Sequence, residues 1–186
     1  PEDLFKVQRY QLASYHVDDA NDFYEGNDRW EVPADPNDAS SLQPAYRLSV
    51  PSDDPLVPDT FSLTSVYTPA NRQNLAAFLQ VNGDASSEDY GEFRARRLSS
   101  QSQVSGPGQI ANQIQSDEDV TDALLPYSRN DISTIYGNLI TLPVGQSLLY
   151  VQPLYSIRTE GSGNYPVLRF VAVGRTNREI ARELYL

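Results

Sequence analysis

The chain has 186 residues, 25 acidic and 14 basic side chains, a formal net charge of −11, and no cysteine. This length suits one domain, or two small ones, with a buried core. The charge argues against a nucleic-acid-binding surface, because affinity for phosphates depends on cationic side chains. The missing cysteines exclude disulfides, thiolate zinc sites and cysteine nucleophiles.

Two further features of the composition concern the setting of the chain. No apolar stretch approaches the roughly 20 residues that span a bilayer, which predicts a soluble piece. The chain begins at Pro1 and contains no methionine, which predicts that it was excised from a longer protein. The single histidine also excludes a metal site built from several histidines.

The first predicted element is a helix over residues 1–17. Acidic residues at its start favour the positive end of the helix dipole. Four apolar residues can share one broad face, as in an amphipathic helix: Leu4, Val7, Leu12 and Tyr15.

An acidic, proline-rich segment follows, over residues 18–58. Between Asp18 and Asp59 there are eleven acidic residues and only two arginines. Frequent prolines predict an irregular surface loop, apart from a short strand around Tyr46, Leu48 and Val50. The aromatic residues of the segment argue against disorder. We therefore expect a loop that is packed on the body of the domain.

The middle of the chain is predicted to form strands. Over residues 60–67, Phe61, Leu63 and Ser65 alternate with Ser62, Thr64 and Val66. A second period-two pattern predicts a strand with one buried face, through Leu75, Ala77, Leu79 and Val81. A turn begins at Asn82-Gly83, and residues 92–98 then predict a polar edge strand, whose charges discourage unwanted pairing.

Two helices are predicted after residue 106. Pro107 suits the first position of a helix over residues 107–115, which carries Ile110 and Ile114 inward. Ser116 and Asp119 have the spacing of a capping box for a second helix, which Pro126 ends.

A long hairpin is predicted over residues 132–157. Its apolar runs, 135–142 and 148–151, flank a type I turn at residues 143–146. A flexible connection at 160–164 then leads to a strand over 167–173 and a short final helix capped by Thr176 and Glu179. This order predicts an α+β fold with a mainly antiparallel sheet, as one domain over residues 1–186.

Several blocks of sequence carry a family resemblance. They are Tyr136–Gly145 and Leu148–Tyr155 in the hairpin, with Pro1–Gln8, Phe23–Trp30, Phe61–Ser65, Asn74–Leu79 and Gly106–Gln109. Together these blocks resemble the uncharacterised protein family 0182, which comprises large multi-pass membrane proteins, mainly of actinobacteria. The resemblance implies the soluble half that follows a bundle of membrane-spanning helices, facing outside the cell membrane. It implies no activity and assigns no catalytic motif.

Few residues suggest catalysis. His16 is the only base available to a serine hydrolase, and it lies at the end of the first helix, where a structural or surface role is the simpler interpretation. Paired carboxylates could hydrolyse envelope glycans, with Trp30 and Tyr24 as sugar platforms. The candidate acids lie in one tract: Asp18, Asp19, Asp22, Glu25 and Asp28.

Three features of the sequence are candidates for binding roles. The same acidic tract could hold calcium, although it lacks the EF-hand spacing. The sequence Gly106-Pro107-Gly108-Gln109 could present amides to an anion, but a glycine there is more simply required by a turn. Tyr136, Tyr150 and Tyr155 are expected to straddle the core, with a contact to a partner as the alternative.

The sequence therefore predicts a non-enzymatic, extracytoplasmic interaction domain of a membrane protein. Its expected partner is its own transmembrane half or an envelope protein, with no nucleic acid, no cofactor, and no catalytic or metal-binding residue assigned. The alternatives are a glycan hydrolase that uses paired carboxylates and a sensor domain that binds calcium or a small ligand. The sequence leaves the oligomeric state open.

Overall fold

The computed structural model describes residues 2–17, 19–25, 29–50, 59–98, 103–129, 131–144, 147–161 and 164–175. Two compact units divide the chain, Pro1–Gly108 and Gln109–Leu186. Each unit combines helices with antiparallel strands, so the predicted α+β class is confirmed. The expectation of one domain over residues 1–186 stays a prediction, because two compact units can be halves of a single domain.

The first unit begins with helix α1 (Glu2–Tyr15), followed by the short helix α2 (Ala20–Glu25). The helix predicted over residues 1–17 is thus confirmed, but its apolar face is not the one that packs inward. The structure buries Phe5, Arg9 and Ala13, which recur every four residues. Of the predicted face, Leu12 packs against the core, whereas Leu4, Val7 and Tyr15 are exposed. Apolar residues lie on both sides of α1, and the core takes the side that carries Phe5.

Seven strands follow in the first unit: β1 (Trp30–Glu31), β2 (Ala34–Asp35), β3 (Asp38–Leu42), β4 (Tyr46–Val50), β5 (Thr60–Pro69), β6 (Ala77–Asn82) and β7 (Phe93–Arg97). Strands β1, β5, β6 and β7 pair in that order, β4 also pairs with β5, and β2 and β3 form a separate ribbon. All of these pairings are antiparallel. Charged β7 lies at one edge of the sheet, as predicted.

Strand β6 is buried on both faces, which corrects the prediction of one buried face. Leu79 and Val81 join the core beneath α1, together with Phe5 and Tyr67. On the opposite face Gln80 is also buried, and its Nε2 donates to Ser62 Oγ at 3.0 Å. The prediction failed because a polar amide in a strand pattern indicates an exposed position. Here the amide is buried, and its hydrogen-bond partner compensates for the burial.

The segment over residues 18–58 is more regular than predicted. Strand β4 confirms the expected strand, but α2, β1 and the β2–β3 ribbon replace the expected irregular loop. Asp35 Oδ1 accepts the backbone N–H of Asn37 at 2.8 Å, which closes the ribbon turn next to Pro36. The prolines therefore punctuate short strands instead of preventing them. Residues 51–58 lie outside the described part of the chain.

The second unit contains most of α3 (Pro107–Ser116), then α4 (Glu118–Leu124) and a 3₁₀ turn (Leu125–Tyr127). Its strands are β8 (Ile132–Tyr136), β9 (Ile140–Val144), β10 (Ser147–Arg158) and β11 (Val167–Arg175). The long strand β10 pairs with β11 on one side and with both β8 and β9 on the other. Ile110 and Ile114 of α3 are buried, as predicted.

The predicted hairpin is right in its pairing and wrong in two details. The run over 135–142 is interrupted at 137–139, where the Gly137 N–H donates to the Pro153 carbonyl at 2.8 Å. Pro143 and Val144 belong to β9, paired with Leu148 and Ser147. The turn thus does not begin at residue 143, and residues 145–146 lie outside the described part of the chain.

The cap of α4 also differs from the prediction. Asp117 is the N-cap, since its side chain accepts the backbone N–H groups of Asp119 and Val120 at 3.0 and 3.2 Å. Ser116 instead donates to the Asn112 carbonyl at the end of α3. A carboxylate one residue further along serves as cap because α3 continues through Ser116. The final helix, with Thr176 and Glu179, lies outside the described residues.

Candidate functional site

His16 lies just beyond the last residue of α1. Its Nδ1 is 3.0 Å from the carbonyl oxygen of Leu12, and its ring stacks on the Trp30 indole with centroids 3.6 Å apart. Its Nε2 is buried and has no hydrogen-bond partner among the described residues. These contacts pack the imidazole between α1 and the start of β1.

The acidic tract is divided among different local roles. Asp19 Oδ1 accepts the backbone N–H groups of Asn21 and Asp22, at 2.8 and 3.1 Å, and thereby caps α2. Asp18 and Asp28 lie outside the described residues. Within the described ranges, no three acidic or histidine side chains are grouped so that they could hold a metal ion.

The two proposed sugar platforms have different surroundings. Tyr24 is exposed and packs edge-on against Phe23, at a centroid distance of 5.7 Å. Trp30 is half-buried, and besides His16 it contacts the Tyr67 ring at 5.5 Å and the Arg97 guanidinium at 5.5 Å. The indole therefore packs against three neighbours within its own unit.

Gly106 lies where two backbone segments come close to each other. Its N–H donates to the Gln73 carbonyl at 3.1 Å, and a Cβ at this position would overlap that carbonyl oxygen. This N–H is therefore engaged in the fold and unavailable to an anion. The contact supports the turn interpretation of the Gly106-Pro107-Gly108 motif.

The three hairpin tyrosines differ in exposure. Tyr150 is fully buried, and burial raises the pKa of its hydroxyl. Tyr136 on β8 and Tyr155 on β10 are half-buried, and these two strands pair with each other. Burial also raises the pKa of Tyr136.

An apolar surface that the sequence did not distinguish from the core lies along α1. We call it the outer face of α1, defined by Leu4, Val7 and Tyr15, with exposures of 62, 54 and 70%. Residues 4, 7 and 15 lie within about a quarter turn of one another around the helix axis. Three large apolar side chains in one exposed stripe form a patch of the kind that marks interaction surfaces.

On the inner side of α1, a buried arginine lies beside a cavity. Arg9 is only 7% exposed, and its Nη1 donates to the Gln43 carbonyl at 3.0 Å and to Ser65 Oγ at 3.2 Å. Burial lowers the pKa of Arg9, while Tyr67 acts in the opposite direction. The sequence alone did not identify Arg9 as a candidate. The one indication of its role is that this cation lies four residues from both Phe5 and Ala13.

The cavity beside Arg9 has a volume of about 540 Å³. Three cationic side chains line it, Lys6, Arg9 and Arg29, against the two carboxylates of Glu25 and Glu31. Among the described residues, no carboxylate forms an ion pair with Arg9. The cavity is thus lined by the buried positive charge of Arg9, and the groups that accept its hydrogen bonds carry no formal charge.

A second, smaller cavity of about 220 Å³ is lined by the start of β5, by β6 and β7, and by the loop that joins β6 to β7. Its acidic residues include Asp89 and Glu92, which pair with Arg94 at 3.9 and 3.0 Å. The Asp84 carboxylate accepts the backbone and hydroxyl groups of Ser86. These carboxylates are engaged in turns and ion pairs.

The helices in the described part of the chain are all too short or too polar to cross a membrane.

Comparison with known proteins gives a family and no solved relative. A UPF0182 protein of Nocardioides is 47% identical over 173 residues, which is 93% of this chain and 17% of that protein. UPF0182 proteins of Thermobifida fusca and Streptomyces coelicolor are 47% and 42% identical, over 94% and 93% of this chain and 17% of each relative. The chain thus spans about a sixth of these relatives. No solved structure matches it.

The family model covers residues 1–127, which include the whole first unit, both α3 and α4, and the cavity beside Arg9. The relatives cover more than nine-tenths of the chain and so extend the similarity into the second unit. The chain therefore belongs to the uncharacterised protein family UPF0182.

Proposed function

We propose that this chain is a non-enzymatic, extracytoplasmic interaction domain of a membrane protein, and that it docks through the outer face of α1 onto the membrane-spanning half of its own polypeptide. The observation that carries the proposal is the exposure of Leu4, Val7 and Tyr15 on one stripe of a helix whose opposite face is already packed. An apolar stripe of this kind is favoured when a partner covers it.

The length of the relatives supports an occupant within the same polypeptide. The chain matches only 17% of each of the first relatives, so most of such a protein lies outside the two units described here. A segment of the same polypeptide is present at a high effective concentration, and a modest apolar face then suffices for stable docking.

The membrane setting of this proposal comes from the family resemblance, which implies a soluble half beside a helix bundle. The net charge of −11 agrees with a role in protein contacts and gives no attraction toward anionic lipid headgroups. The hydrolase and calcium alternatives find no support in the described carboxylates. Of these, Asp19 caps a helix, and Asp89 and Glu92 pair with Arg94.

Photocrosslinking in the full-length protein tests the docking. We would replace Val7 with benzoylphenylalanine, irradiate membranes, and map the crosslinked peptides by mass spectrometry. The expected result is a crosslink to a segment of the same polypeptide outside this chain. The matched control places the same residue at Glu88, an exposed position in the β6–β7 loop, where no such crosslink is expected. Crosslinks from position 7 only to a different protein, or none, would overturn the intramolecular docking.

Cysteine labelling tests the side of the membrane. Because this chain has no cysteine, Glu88→Cys introduces one thiol at an exposed site. A membrane-impermeant maleimide should label it in intact cells to the same extent as after permeabilisation. The full-length protein without the substitution corrects for other thiols. Labelling only after permeabilisation would place this chain inside the cell and contradict the proposal.

A further inference from the structure

The inner side of α1 holds a charge that the fold does not neutralise. Arg9 is buried, and the acceptors of its two hydrogen bonds, the Gln43 carbonyl and Ser65 Oγ, carry no formal charge. The arginine side chain remains protonated in proteins, so a full positive charge sits in this position. Burial of a charge without a partner of opposite sign is costly, and proteins ordinarily pair such groups.

The geometry of the guanidinium leaves part of it open to a ligand. Within the described ranges, both hydrogen bonds of the guanidinium leave from Nη1 of Arg9, and the N–H groups of Nη2 and Nε are left for another acceptor. Tyr67 fixes the turn of α1 that carries Arg9, since its hydroxyl donates to the Arg9 carbonyl at 2.9 Å. A fork of N–H donors on a fixed backbone suits two oxygens of one carboxylate or phosphate group.

The cavity beside Arg9 has room and chemistry for such a group. Its volume of about 540 Å³ lies in the usual range for small-molecule sites, roughly 300–1,000 Å³. Lys6 and Arg29 add positive charge to its lining, while Trp30 and Tyr10 add aromatic surface. Neither Glu25 nor Glu31, the two acids of the lining, forms an ion pair with Arg9.

We propose that the cavity beside Arg9 binds a small organic anion, whose carboxylate or phosphate group supplies the counter-charge that Arg9 lacks. The oxygens of the ligand accept from the guanidinium, and the remainder of the molecule lies against Trp30 and Tyr10. Arg9 lies on the buried side of α1, away from its outer face, so anion binding can be tested separately from the docking proposed above.

The test uses the 186-residue chain, in which Trp30 is the sole tryptophan and lines the cavity. Inorganic phosphate and acetate are titrated separately at constant ionic strength, with chloride as the balancing ion, while Trp30 fluorescence is recorded. Either anion should give a saturable change. Thermal unfolding followed by the same fluorescence should shift upward by about 5 °C when the anion exceeds its Kd by about 100-fold.

Three variants test whether the response to the anions arises from the cavity beside Arg9. Arg9→Gln should abolish it, with circular dichroism to show that the variant is folded. Arg29→Gln, at an exposed cavity residue, should weaken the apparent affinity several-fold without changing the anion-free unfolding temperature. Arg94→Gln removes the same charge at the other cavity and should respond like the parent chain. Because Arg29→Gln alters the lining of the cavity and leaves Arg9 in place, it keeps the test decisive even if Arg9→Gln does not fold.

Three outcomes would overturn the proposal. The first is the absence of a saturable response to both phosphate and acetate. The second is an equal loss of response in Arg94→Gln and Arg29→Gln, which would mean general charge screening. The third is binding to phosphatidylglycerol vesicles, but not to phosphatidylcholine vesicles or to the free anions, which would identify a lipid surface in place of a small molecule.

Discussion

The hydroxyl of Tyr67 donates a hydrogen bond to the backbone carbonyl of Arg9 across 2.9 Å. Tyr67 is completely buried on β5, and Arg9 lies in the middle of α1, 58 residues away in sequence. This one contact attaches the helix to the sheet and holds the turn that presents the Arg9 guanidinium. The same burial raises the pKa of the Tyr67 hydroxyl, while the charge of Arg9 lowers it.

Replacement of Tyr67 with Phe tests this attachment. Tyr67→Phe keeps the ring and removes the donor, so the Arg9 carbonyl keeps only the hydrogen bonding of its helix. We expect the free energy of unfolding to fall by about 0.5–1.5 kcal/mol, the net contribution of one hydrogen bond. Urea unfolding measures it, with Tyr90→Phe as control, since the Tyr90 side chain is exposed. An equal effect in both variants would show that the Tyr67 hydroxyl is not a stabilising contact.

The choice of the buried face of α1 gives a second prediction. Phe5 is 2% exposed and packs in the core, whereas Val7 lies on the outer face. Phe5→Ala should lower the free energy of unfolding by about 3–5 kcal/mol, because it leaves a cavity. Val7→Ala should change it by less than about 0.5 kcal/mol in the 186-residue chain. Comparable losses in the two variants would contradict the observed orientation of α1.

Gly137 gives a third prediction, in the second unit. A Cβ at this position would lie 2.7 Å from Pro153 Cγ and 2.9 Å from Tyr155 Cε2. Gly137→Ala should therefore destabilise the unit by about 1–3 kcal/mol through overpacking against β10. The matched change Gly108→Ala meets no atom within 4 Å, and it should stabilise the chain by about 0.4–1 kcal/mol. Thermal unfolding that moves in the same direction for both variants would count against this account.

The fourth prediction concerns stability at alkaline pH. Burial and the nearby charge of Asp35 raise the pKa of Tyr46 to about 12, although a hydrogen bond with Gln43 lowers it. The unfolded chain loses this proton at about pH 10. The folded state therefore holds the proton more tightly, so its contribution to stability is complete below pH 10 and is lost between pH 10 and 12.

Urea unfolding at several pH values between 9 and 12 checks this sign. The parent chain should lose stability steadily above pH 10, and Tyr46→Phe should lose less over the same window. Part of the loss should persist in the variant, because the pKa of Tyr67 is raised as well. Identical pH profiles for the parent and Tyr46→Phe would exclude a contribution from Tyr46.

Much of the fold follows from short-range pattern. The presence of strand β5, the charged edge strand β7, and the start of α3 at Pro107 each depend on a few neighbouring residues, and the structure agrees with all three, although β5 is buried on both faces from Thr64 to Thr68. Strand periodicity and proline geometry act locally, so a single sequence is enough to reveal them. The family blocks are likewise a property of the sequence alone.

Other features depended on residues far apart in the chain. The sequence pattern indicated the wrong side of α1, since Phe5 and Val7 are both apolar, and only the sheet beneath the helix decides between them. It did not indicate the second buried face of β6, because Gln80 finds its partner 18 residues away in Ser62.

The candidate site shows most clearly the difference between features that the sequence predicts and features that depend on the tertiary structure. Arg9 meets Gln43 and Ser65 across 34 and 56 residues of chain, and only the folded unit places these three together beside a cavity. By itself the sequence determined the α+β class, the edge strand, the start of α3 and the family. The tertiary structure decided which apolar side chains stay exposed and which charge is buried, because burial is a property of the surroundings that long-range contacts create.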